Sequence, residues 1–112
     1  MAGKRGGLYS YSVQESQNAS MGQVGSVVLN ATGTTFTPSS GVIVAITMLA
    51  DVTFDVLTAE NQEKYIQIGH GGYEDSGNDL STSETFPSGV TVYGRWTSVS
   101  MNSGGPIICY IG

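Results

Sequence analysis

The only histidine, His70, sits in Gly69-His70-Gly71-Gly72. Histidine is the side chain best suited to act as a general base or metal ligand near neutral pH. A zinc site would need three further ligands from Cys109 and the acids, and no close spacing supplies them. His70 is therefore expected as an exposed loop residue. A serine nucleophile has no support, because the G-x-S-x-G elbow is absent and one loop histidine is a poor basis for a triad. Glycoside hydrolysis needs two carboxyls at a set separation across a cleft. Here the acids crowd one region, and nothing selects a pair.

Other candidates weaken in the same way. The run Glu74-Asp75-Ser76-Gly77-Asn78-Asp79 clusters the oxygens that a hard cation wants, with Glu84 as a distant closing ligand. It lacks the regular alternation of an EF-hand, so an ordinary solvated acidic loop is the expectation. Gly69-x-Gly71-Gly72 is no phosphate cradle, since neither the P-loop lysine nor a G-x-G-x-x-G motif is present. Trp96 with Tyr93 and Arg95 offers a surface to stack a sugar or a base, but core or interface packing is the simpler reading. Cys109 lies in the apolar run Pro106–Ile111 and has no second cysteine to pair with, so a buried free thiol is expected. The residues thus predict no catalytic group, no metal and no cofactor.

The elements that would hold such groups follow from composition. A chain of 112 residues is one domain of ordinary size. Its sixteen glycines and its wealth of Val, Ile, Thr, Tyr and Ser are strand-and-turn chemistry. The net charge is −5, and eight of the nine acids lie between Asp51 and Glu84 with only Lys64 against them in that stretch. No basic patch exists for a phosphate backbone, so nucleic acid is not an expected partner. The longest apolar stretch, Val42 to Ala50, is too short to span a bilayer. No signal-peptide core is recognisable, and the chain is expected to stay where it is made.

Residues 1–20 read as an extended N-terminal arm, polar and Gly-containing, with Tyr9 and Tyr11 as its hydrophobic handles. Residues 21–112 read as a single β domain. Its first strand lies within 22–30, followed by a β-prone segment over 31–38 and a turn at Ser39-Ser40-Gly41. Val42–Ala50 is rich in β-branched residues and predicts a strand buried on both faces. Asp51 marks a bend, after which Val52, Phe54 and Val56 point inward and Thr53 and Asp55 outward. Thr58 to Lys64 predicts a helical turn capped by Thr58, and Tyr65–Ile68 a resumed strand. Residues 69–88 form a loop long enough to be functional or mobile. The end reads as a hairpin, with Val90, Val92 and Trp96 on one face, Tyr93, Arg95 and Thr97 on the other, and a turn over Met101–Gly105. The fold class is all-β, a small β-sandwich or β-barrel.

Two segments then resemble a known family. Phe86-Pro87-Ser88-Gly89-Val90-Thr91-Val92-Tyr93-Gly94-Arg95-Trp96-Thr97-Ser98-Val99, with the closing Ser103-Gly104-Gly105-Pro106-Ile107-Ile108-Cys109-Tyr110-Ile111-Gly112, is similar to the ending of small virion structural proteins of tailed phages. Ala45–Phe54, an apolar strand meeting an acid and then an aromatic, resembles their middle segment. The likeness covers roughly 42–57 and 86–112. It implies a non-enzymatic capsid decoration (cement) protein on the outer head surface, bound to the major capsid protein and self-associating, with a trimer favoured. It implies location in the virion, with assembly in the host cytoplasm. On this reading Tyr9 and Tyr11 contact the capsid or a neighbour, and the acidic loop faces away from the shell. The alternatives are a tail, fibre or neck component, or a carbohydrate-binding module using Trp96, Tyr93 and the Glu74–Asp79 loop.

Overall fold

The doubly buried apolar run becomes the middle of the sheet. In the computed structural model, which describes residues 24–112, it forms β2 (Ile43–Met48), with five of its six residues buried. Around it lie β1 (Gly25–Leu29), β3 (Val52–Ala59), β4 (Thr91–Gly104) and β5 (Ile107–Ile111). The order is β1-β5-β2-β4-β3, and every neighbouring pair is antiparallel. The described residues contain no α-helix, only a short 3₁₀ turn at Tyr73–Asp75. The expected all-β domain is therefore present, built as one continuous sheet. The N-terminal arm, with Tyr9 and Tyr11, lies outside the described residues.

The long β4 joins the two halves of the sheet. The first part of this 14-residue strand pairs with β2 from Thr91 to Trp96, and its remainder pairs with β3 from Trp96 to Gly104. Bulges at Asp55, Thr97 and Asn102 break the ladder and bend it. Residues 33–36 arrive from β1 and reach β4, with Phe36 and Val99 exchanging both backbone hydrogen bonds at 2.8 and 3.0 Å. The result is one core drawn from all the strands, centred on Trp96, Phe54, Ile43, Ile46, Met48 and Ile107. Full burial of a side chain such as Phe54 or Leu57 stabilises the fold by about 1.5–3 kcal/mol.

Several local expectations shift for identifiable reasons. Val56 is only half-buried, because the bulge at Asp55 moves the inward positions on to Leu57 and Ala59. The helical turn begins later than expected, since β3 runs through Ala59. Asn61 caps it in place of Thr58, its Oδ1 accepting from the Glu63 N–H at 2.9 Å. Tyr65–Ile68 is not a regular strand; its single bridge pairs Gln67 with His70. Trp96 lies on the expected inner face, and its Nε1–H donates to the Ile66 carbonyl at 2.8 Å. The ring folds across Gly94, where a Cβ would stand 2.6 Å from its Cζ2 atom. The terminal turn is tighter than Met101–Gly105: β4 continues to Gly104, and Met101 is buried. Gly104 adopts φ +81°, and a Cβ there would overlap the Asp51 carbonyl oxygen, so the reversal requires glycine.

Candidate functional site

His70 is not the exposed residue expected. Its side chain is 21% exposed, and Nε2 lies 3.1 Å from Oε2 of Glu63, whose side chain is largely in water. The bridge between Gln67 and His70 and the bond from the Glu74 N–H to the Glu63 carbonyl at 2.7 Å fold the loop back and bring the two together. His70 Nδ1 is buried, with no hydrogen-bond partner among the described residues. The structure thus joins His70 to one carboxylate at the surface. No group of three or more His, Cys, Asp or Glu placed to hold a metal ion occurs among the described residues.

The acidic run is held by its own backbone. The Gly77 N–H donates to the Gly71 carbonyl at 3.0 Å, and Glu74 and Asp75 take left-handed φ of 50° and 56° to make the turn. Leu80 then ties the segment back through a bond to the Gln67 carbonyl at 3.2 Å, and Phe86 pairs with Val52. Glu60 is engaged outside this loop, its Oε1 accepting from Arg95 Nε at 2.7 Å. That hydrogen bond holds the Glu60 carboxyl below its ordinary range and raises Arg95 further. Cys109 is free and buried as expected, and burial pushes its thiol up to about 12. Trp96 is fully buried and presents no face for stacking a sugar, while Tyr93 is 62% exposed.

Two shallow depressions of about 240 and 210 Å³ follow β1, one on each side of Phe36. Both fall below the usual range for small-molecule sites, roughly 300–1,000 Å³, and neither is lined by a titratable side chain.

What the tertiary structure does assemble is a surface. Residues directly opposite one another across antiparallel strands project from the same face, so the registers can be read across the sheet as rows. Ser26 on β1 meets Tyr110 on β5, which meets Ala45 on β2, which meets Tyr93 on β4. The next row runs Val28, Ile108, Thr47 and Thr91. Their strand neighbours Val27, Cys109, Ile46 and Val92 point the other way, into the core. None of the eight is charged, and all but the buried Ala45 are at least partly exposed. Val28 is 59% exposed, and the hydroxyls of Thr47 and Thr91 bond to each other at 2.8 Å.

A solvated antiparallel face ordinarily alternates apolar-in with polar-out. Tyrosine enrichment with charge depletion is instead the composition of an interface core. The pattern extends beyond the two rows: residues 24–50 and 96–112 contain no charged side chain. Every charged side chain of the described residues falls within 51–95: at Asp51, on β3, on β4 at Arg95 and on the segment between those strands. Of this surface, sequence reasoning found the outward placement of Tyr93. Tyr110, Ile108 and Val28 were missed, although alternation within β5 and β1 carried the signal.

No protein-family model, curated protein or solved structure matches this chain. No helix among the described residues is long and apolar enough to cross a membrane.

Proposed function

We propose that this chain is a non-enzymatic capsid decoration protein of a tailed phage, laying the uncharged outer face of its sheet on the outside of the shell. The observation that carries the reading is the pair of cross-strand rows from β1 to β4, which hold two tyrosines, a valine and an isoleucine and no charge. The likeness of segments 42–57 and 86–112 to small virion proteins supports it from the sequence side. So does the segregation of acids to 51–84, which keeps them off β1, β5, β2 and β4, the strands that carry the two rows. Tyr9 and Tyr11 supply a second contact with the capsid or a neighbouring copy. Each contact is modest, and many copies on a lattice add up.

The test is cosedimentation of the purified protein with bare phage heads, comparing wild type with Tyr93→Lys. Tyr93 is mostly exposed, so the substitution leaves the core intact. A lysine in a face that must lose water on docking should weaken coating by about tenfold or more, which corresponds to roughly 1.4 kcal/mol. Failure of wild type to bind heads, or equal coating by the variant, refutes the proposal. Electron microscopy of the particles separates shell decoration from a tail, fibre or neck position by where the copies lie and how many there are.

A further inference from the structure

We infer that two copies of this chain join edge to edge through β1, extending each sheet into a ten-stranded one about a two-fold axis. The inference stands whether or not the shell reading does.

The two edges of the sheet differ. The β3 edge is covered at both ends. Val52 and Phe86 exchange backbone bonds at 2.9 and 2.8 Å, the Leu57 carbonyl accepts from Ile68 at 3.0 Å, and the Ala59 N–H donates to Gln67 Oε1 at 2.8 Å. The β1 edge has no such cover: among the described residues, β1 pairs with β5 alone. Soluble proteins protect an open edge with charged side chains, proline, a bulge or a covering segment, because unpaired N–H and C=O groups template another strand. Gly25-Ser26-Val27-Val28-Leu29 contains no charge and no proline, and Val24 and Val28 are each 59% exposed.

Charge selects the occupant. The chain carries net −5, and two copies repel wherever their acids approach. The acids of the described residues lie at Asp51, on β3 and in the segment from there to Glu84, while β1, β5 and β2 carry none. Approach through β1 therefore keeps three uncharged strands of each copy between the two acidic regions. An antiparallel strand pair about a two-fold is also self-complementary, as an isologous contact must be. Centred on Val27, it sets Ser26 of each copy against Val28 of the other. The two uncharged outer faces then become one continuous surface. This geometry makes a dimer, in place of the trimer that the family resemblance implies.

The experiment is sedimentation velocity of the full chain over a range of concentration and salt, with three proteins. Wild type should be a dimer that tightens as salt screens the repulsion. Val24→Lys/Val28→Lys, at two exposed positions, should weaken the dimer by about tenfold or more with an unchanged circular dichroism spectrum. Tyr93→Lys, three strands away, should remain a dimer even if it no longer coats heads, so that the edge contact and the shell contact fail separately. A wild-type monomer, a trimer, or a dimer indifferent to the double lysine variant overturns the inference. So does loss of the dimer in Tyr9→Ser/Tyr11→Ser, which would assign the contact to the N-terminal segment.

Discussion

Gly94→Ala tests the packing around Trp96 directly. The added methyl would stand 2.6, 2.9 and 3.0 Å from Cζ2, Cη2 and Cε2, all atoms of the six-membered ring of the indole. That ring has no exposed surface and is anchored by its bond to the Ile66 carbonyl, so it cannot swing aside cheaply. Overpacking at a fixed core site costs about 1–3 kcal/mol. Gly94 has no positive φ, so alanine fits its backbone and its lower unfolded-state entropy offsets about 0.4–1 kcal/mol. The net expectation is destabilisation by about 1–2 kcal/mol. Trp96→Phe removes the crowding atoms but leaves the Ile66 carbonyl unpaired and a void behind, at about 2 kcal/mol. In the double variant the clash is gone, so the combined loss should fall short of the sum by about 1 kcal/mol or more. Urea unfolding followed by far-ultraviolet circular dichroism measures all four proteins on one signal, since Trp96 is the only tryptophan. A Gly94→Ala protein as stable as wild type, or strict additivity in the double variant, refutes the argument.

The other predictions concern titration and reactivity. Cys109, fully buried with its thiol near 12, should react with a disulfide reagent at pH 8 only as fast as the chain opens; labelling within seconds without denaturant would contradict its placement. Because Arg95 holds Glu60 below its ordinary value of 4.5, the stabilisation from that pair is complete above the ordinary value. It disappears as pH falls through the lowered one. The difference in Tm between wild type and Glu60→Gln should therefore shrink on acidification, and a difference that does not change with pH counts against the pair.

The class of fold, the central strand and the buried thiol are all legible in the residues alone. Each is a local consequence of composition and alternation: Val42–Ala50 has too many β-branched residues for a helix, and Cys109 sits in an apolar run. Alternation also gives the inward position of Trp96, even though the β2–β4 register shifts between Tyr93 and Trp96. Alternation fails where a bulge inserts a residue, and so Val56 and Leu57 exchanged roles around Asp55. It also cannot foresee capture by a distant segment. His70 became half-buried because the bonds from Gln67 and Glu74 draw its loop back on itself. The uncharged outer face depended most on tertiary structure. Val28, Ile108, Thr47 and Thr91 come from four separate strands, and each looks like an ordinary strand residue alone. Only the strand order β1-β5-β2-β4 and its registers set them side by side, because a surface is a property of neighbours that the chain itself keeps far apart.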